Sequence, residues 1–188
     1  MKTLSLVAAL AAAALSPSIA SAQDVHPLLG VAITGGGDRL ATLVYSNGGS
    51  QDVRAGNLLD LYGGFEVRPF GSPFAFQGTI GYHFDNASAS NGSLTFSRFP
   101  IEGSVLWSVT PNFRLGAGVR YATGARLSGF GNSVDFDSQL APLVQAEYLF
   151  TPHMGVQLRY VQEKYTVSGG NGQSIDGSHV GVGFNYYF

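Results

Sequence analysis

The sequence predicts an all-β chain folded as an eight-stranded antiparallel up-and-down transmembrane β-barrel. Three observations lead there. Apolar residues recur at every second position in segment after segment, which is the period of a strand with one apolar face. Charged residues make up 12%, about half the usual share, whereas glycine accounts for 26 of 188 residues and aromatics for 12%. After residue 22, no apolar run approaches the ~20 residues of a spanning helix. A membrane-directed composition without helical spans leaves a closed barrel, whose backbone groups pair between strands.

Residues 1–22 read MKTLSLVAALAAAALSPSIASA. Lys2 is a basic start, Leu4 to Leu15 is an apolar run, and Ala20-Ser21-Ala22 has the small-x-small form that a signal peptidase accepts. The expectation is a signal peptide over 1–22, cleaved between Ala22 and Gln23, and a barrel domain over 23–188. The run is too short for a spanning anchor. The absence of cysteine excludes disulfides and lipid attachment at a thiol. Loss of Lys2 would take the formal net charge from −2 to about −3, and no basic patch suggests nucleic acid.

Eight strands are expected, at 28–46, 57–68, 74–84, 94–108, 112–123, 137–150, 154–167 and 178–188. In the first, Gly35, Gly36 and Gly37 interrupt the alternation of LLGVAIT and LATLVYS. It is either one long strand with a bulge or a strand followed by a separate extension. The second places Asp60, Gly64, Glu66 and Arg68 on one parity. In the third, Phe74, Phe76, Ile80, Tyr82 and Phe84 oppose Gln77, Thr79, Gly81 and His83. The fourth carries Arg98 and Glu102 on its polar parity. In the fifth, Phe113, Leu115, Ala117, Val119 and Tyr121 oppose Arg114, Gly116, Gly118 and Arg120. In the sixth, Val144, Ala146, Tyr148 and Phe150 oppose Gln145 and Glu147. The seventh holds Arg159 and Glu163 and loses its pattern after Tyr160, where Gln162 and Lys164 take the apolar parity; these residues are expected above the bilayer. In the eighth, Val180, Val182, Phe184, Tyr186 and Phe188 oppose His179, Gly181, Gly183 and Asn185, and Tyr187 points inward.

The connections alternate in kind. Pro69 to Pro73, Thr110 to Asn112 and Thr151 to His153 are tight proline turns. SNGGSQDVRAG, DNASASNGS, TGARLSGFGNSVD and SGGNGQSIDG are longer and polar, and are expected as four extracellular loops. Aromatic girdles are expected from Phe74, Trp107, Phe113, Phe150 and Phe188 on the short-turn side and from Tyr82, Tyr121 and Tyr160 on the loop side. A soluble barrel would turn its polar face outward and need lysine and glutamate there. Lys164 is the one lysine after the leader.

The leader, the eight alternating segments and the final strand resemble the small outer-membrane β-barrels: the OmpA transmembrane domain, OmpX, NspA and the YfaZ-like proteins. In that group, a C-terminal phenylalanine preceded by apolar residues at alternate positions is read by the barrel-assembly machinery. The resemblance maps that signal onto Val180, Val182, Phe184, Tyr186 and Phe188. It implies the outer membrane of a Gram-negative bacterium, with outer-membrane lipids and lipopolysaccharide as surroundings and the assembly machinery as a partner.

With the apolar parity facing lipid, the other parity lines the interior. Glu66, Arg68, Glu102, Arg114, Arg120, Glu147 and Arg159, with Asp60, Arg98 and Glu163, form a nearly charge-balanced lumen network. An eight-stranded barrel is only wide enough for side chains to fill it, so a salt-bridged plug is expected; a narrow passive pore is the alternative. The interior glycines either leave space or let arginine and tyrosine lie across the lumen. The lipid A deacylases carry His-x-Ser-Asn. Here His83-Phe84-Asp85-Asn86 has aspartate at the nucleophile's place, and Ser178 and His179 alternate to opposite faces. No enzyme activity and no cofactor are therefore expected. The histidines His26, His83, His153 and His179 are scattered in sequence, so no metal site is expected. The expected function is non-catalytic: envelope structure, or surface interaction through the loops with an unidentified extracellular ligand.

Overall fold

A computed structural model describes residues 23–45, 48–89, 92–169, 172 and 174–188. The expected leader and its residues Ala20 and Ala22 lie outside the described residues, and Gln23 is the first residue of a strand. Among the described residues thirteen strands follow in chain order: β1 (Gln23–Gly36), β2 (Arg39–Val44), β3 (Ser50–Arg54), β4 (Leu58–Pro69), β5 (Phe74–Ala89), β6 (Gly92–Ser108), β7 (Phe113–Gly129), β8 (Asn132–Ser138), β9 (Ala141–Thr151), β10 (Met154–Val161), β11 (Lys164–Val167), β12 (Ser174–Asp176) and β13 (His179–Tyr187).

Eight of them, β1, β4, β5, β6, β7, β9, β10 and β13, form a closed antiparallel ring. Closure comes from β13 against β1, in register from Leu28↔Tyr187 to Gly36↔His179. On the far side β7 pairs with β9 from Phe113↔Tyr148 to Arg120↔Ala141. A closed ring leaves no unpaired edge, which is the condition for a sheet in hydrocarbon.

The alternation sorts side chains by face. Leu29, Ile33, Phe65, Ile80, Leu158 and Val182 point outward and are each more than half exposed, while Arg98, Arg120 and Glu163 on the inner face are fully buried. An outward belt of large apolar residues around an ionic interior is the reverse of a soluble protein. It fits a barrel whose solvent is lipid. The belt is bordered by exposed aromatics: Phe74, Trp107, Phe150 and Phe188 toward the short turns, and Tyr82, Tyr121 and Tyr160 toward the loops.

Three expected strands are divided in the structure. The segment 28–46 splits at Gly36 and Gly37, whose φ angles of 138° and 75° turn the chain out of the wall. Beyond them β2 leaves the ring and pairs with β3 in a sheet of its own. The segment 137–150 joins residues of β8 and β9, which belong to different parts of the fold. The segment 154–167 breaks after Val161, and β11 pairs with β8 and β12 instead of with the barrel neighbours of β10. The expected polar loops are largely strand. β5 runs to Ala89 and β6 starts at Gly92, while β7 runs to Gly129 and returns as β8. The loop end of the molecule is therefore a folded cap.

Candidate functional site

The inner face holds two ionic layers separated by a polar belt. The lower layer centres on Arg114 of β7. Its Nη1 donates to Glu66 Oε1 and Oε2 at 2.9 and 2.8 Å, and its Nε donates to Glu147 Oε2 at 3.0 Å. Its Nη2 donates to the Tyr187 hydroxyl at 2.7 Å and makes a further contact with Glu147. Arg68 Nη2 and Gln77 Nε2 also donate to Glu66, at 3.0 and 2.8 Å. Tyr187 and Asn185 donate to Glu147 Oε1 at 2.7 and 2.8 Å. Both carboxylates and the guanidinium are buried, so their charges must be compensated locally.

Tyr62 of β4 lies across the lumen above this layer. Its hydroxyl donates to Asn185 Oδ1 at 2.6 Å and lies 3.1 Å from Gln157 Oε1. Gly30 faces the ring: a Cβ at that position would sit 2.2 Å from Tyr62 Cε2. A Cβ on Gly116 would fall 2.9 Å from Gln145 Cγ, and one on Gly183 3.3 Å from the Tyr62 hydroxyl. At these positions the glycines make room for side chains that span the lumen. They do not create a channel.

The upper layer centres on Arg120, also of β7. Its Nη1 donates to Asp60 Oδ2 at 3.0 Å and Glu102 Oε1 at 2.8 Å, and its Nε donates to Glu163 Oε1 at 3.4 Å. Arg159 Nη2 donates to Glu102 Oε2 at 2.5 Å. Arg120 and Arg98 each donate through Nη2 to His83 Nδ1, at 2.8 and 2.9 Å. A nitrogen that accepts from two guanidiniums carries no proton, so the hydrogen-bond network places the ring proton on Nε2. There it reaches Thr34 Oγ1 at 2.9 Å and the Asn57 carbonyl at 3.2 Å.

The expected network residues thus fall into two groups. Glu66, Arg68, Arg114 and Glu147 meet in the lower layer, and Glu102, Arg120 and Arg159 meet in the upper one. Asp60, Arg98 and Glu163 complete the upper group. Topology brings two of the histidines that are scattered in sequence together. Closure of β13 near β5 brings His179 edge-on to His83, with ring centroids 5.1 Å apart. His26 Nδ1–H donates to the Phe188 carbonyl and His153 Nδ1–H to the Tyr187 carbonyl, each at 2.9 Å, so both hold the end of the closing strand. The alternate residues Val180, Val182, Phe184, Tyr186 and Phe188 all lie on the outer wall, while Tyr187 is buried in the lumen. Asp85, at the nucleophile's place in the deacylase-like stretch, accepts from the Arg54 backbone N–H at 2.8 Å.

Above the upper layer the character of the interior changes. Leu43, Val53, Ala55, Ala87, Phe96, Ala122, Ala125, Phe136 and Tyr165 form an apolar core across the loop end of the barrel. Phe96 meets Phe136 and Tyr165 edge-on at 5.6 and 5.7 Å, the favoured aromatic geometry. Arg98 joins the two regions, with its guanidinium carbon 5.0 Å from the Phe96 ring centre and an ion pair to Glu163 at 3.6 Å. The β2–β3 hairpin is fixed over this core by Arg54, by Gln51 Nε2 donating to the Asn86 carbonyl at 3.1 Å, and by Asp38, whose carboxylate accepts from the Asp176 N–H at 2.8 Å. Sequence reasoning missed this core. Its signal is the alternation of Val134 and Phe136 with Ser133, Asp135 and Asp137, which a polar composition conceals.

No protein-family model and no curated protein matches the chain in sequence. Solved structures match it in fold. Neisserial surface protein A superposes with a TM-score of 0.52 at 13% identity, covering 88% of this chain and 99% of that one. Ail, the attachment invasion locus protein of Yersinia pestis, solved with the heparin analogue sucrose octasulfate, gives 0.48 at 11% identity over 89% and 99%. A de novo designed transmembrane β-barrel gives 0.39 at 15% identity over 87% and 95%. The likeness to Neisserial surface protein A, with the closed ring of eight antiparallel strands, shows the fold of the small eight-stranded outer-membrane β-barrels.

Proposed function

We propose that a chain with this fold and this lumen is an integral outer-membrane protein of a Gram-negative bacterium, exported by its leader and without catalytic activity. It contributes envelope structure or surface interaction through the cap at its loop end. The observation that carries this reading is the sealed interior. Arg98, Arg114, Arg120, Glu163 and His83 are no more than 1% exposed, and an apolar core lies above them. A water path needs polar walls with space between them, and these walls meet. A narrow passive pore is the competing reading, and the packed lumen speaks against it.

Outer-membrane lipids and lipopolysaccharide would surround the apolar belt. The assembly machinery would read Val180, Val182, Phe184, Tyr186 and Phe188 on the lipid-facing side of β13. Around the cap, Asp38, Asp52, Asp135, Asp137 and Asp176 stand among Arg39, Arg54, Arg126 and Lys164, so the basic side chains form no patch of their own for a polyanion or nucleic acid. The test is conductance in planar lipid bilayers. The sealed-lumen reading expects no unitary current steps, and regular steps would establish the pore instead. Changed lipid A or phospholipid mass spectra on overexpression would overturn the non-catalytic part.

A further inference from the structure

The apolar core of the cap is open at its outer end. Leu40, Leu127, Val134, Phe136, Val167 and Ile175, drawn from β2, β7, β8, β11 and β12, line a cavity of about 540 Å³. This lies within the range of small-molecule sites, which are mostly apolar with a few oriented polar groups. Phe136 is buried, and Val134 remains 40% exposed. Two charged residues complete the lining, Asp38 and Arg39. They differ in what they have left to offer. Asp38 is tied to β12 through both its carboxylate and its backbone N–H, which donates to the Asp176 carbonyl at 2.6 Å. Arg39 has 62% of its side chain exposed, and the Asp52 oxygen nearest to it is 3.9 Å away, beyond hydrogen-bond length. The cavity thus offers an apolar wall and one guanidinium with donors to spare.

We propose that this cavity binds a medium-chain fatty acid, with the chain against Leu127, Val167 and Ile175 and the carboxylate on Arg39. A guanidinium matches a carboxylate in charge and in planar geometry. The proposal rests on the reading of the cap as the outward surface, and it gives that surface a ligand class.

The test uses the full barrel in lipid nanodiscs, a dodecanoate carrying a diazirine, and peptide mapping after photolysis. Saturable labelling within 127–136 and at Val167 and Ile175, competed by dodecanoate, is expected. Arg39→Gln should weaken competition about tenfold, the usual worth of a charge-assisted hydrogen bond. Arg126→Gln, which removes an exposed pair with Asp135 outside the cavity, should leave it unchanged. Val167→Trp should fill the cavity and abolish labelling; if that variant does not fold, Arg39→Gln still decides. Labelling confined to the lipid-facing belt, or equal competition by dodecanol, would overturn the proposal. Heat-modifiable gel migration of each sample separates these failures from failure of the barrel itself.

Discussion

Replacing Arg114 by methionine removes a buried cation from between two buried carboxylates. The partners are unequal in what they keep. Glu66 retains Arg68 at 3.0 Å and Gln77 at 2.8 Å. Glu147 retains only neutral donors, Tyr187 at 2.7 Å and Asn185 at 2.8 Å. The side chain of Glu147 is 1% exposed, so water cannot replace the lost guanidinium. Leaving one buried charge without its partner costs about 3–5 kcal/mol, roughly a hundred- to several-thousandfold in the folding equilibrium. The asymmetry sharpens the expectation. Glu147→Gln added to Arg114→Met should recover about 1–3 kcal/mol, the range of coupling between contacting residues. Glu66→Gln added to Arg114→Met should recover less, because Arg68 already compensates Glu66. The assay is equilibrium urea unfolding in lipid vesicles, followed by heat-modifiable migration. A loss below about 1 kcal/mol for Arg114→Met, the level of an exposed pair, would mean that Glu147 is not left as an uncompensated buried charge. So would equal rescue by the two glutamines.

Further outcomes follow from the same geometry. Gly30→Ala should destabilise the barrel by about 1–3 kcal/mol by overpacking, since the new methyl meets the Tyr62 ring; Tyr62→Leu in the same chain should relieve part of this in the unfolding assay. Phe96→Ala should cost about 3–5 kcal/mol and act on the cap: limited proteolysis should then cut within 39–54 or 164–176 while the ring stays intact. Hydrogen bonds from Ser178, including its N–H at 2.8 Å, hold the Asp176 carboxyl below its ordinary value of 3.8. Its contribution is therefore complete above that pH and is lost as pH falls through the lowered value. Amide protection around β12, taken relative to the intrinsic exchange rate at each pH, should be unchanged from neutral pH down to about 4 and fall only in stronger acid.

The ring was legible in the sequence where the outer face carries bulk. In β7 and β13 every outward position from Phe113 to Tyr121 and from Val180 to Phe188 is apolar, so period and parity are plain. Parity also assigned the inner charges to the lumen, because a strand offers a side chain only two directions. It could not assign their partners. Arg114 and Glu147 are cross-strand neighbours, whereas Arg114 and Glu66 come from strands that are not adjacent in the sheet and meet only because the ring is narrow. The pairing of His83 with His179 likewise depends on closure. The cap was hidden for another reason. In β3 and β8 the inward residues are few, Val53 in one and Phe136 in the other, and serine, aspartate and glycine around them give a loop-like composition. Their burial comes from packing against the other connections and from no period within any one of them.

In this barrel the apolar face meets lipid and the charged face is enclosed. Trp107 tests it most directly. It is the single tryptophan in the chain, it sits on the outer face of β6, and it is 48% exposed there. Its fluorescence is read with the barrel folded in vesicles containing lipids brominated at defined depths on the acyl chain. A lipid-facing Trp107 should be strongly quenched, most by bromines near the interface, with little effect of a water-soluble quencher. A tryptophan untouched by every brominated lipid, in a chain that stays folded and monomeric in buffer without lipid or detergent, would contradict it.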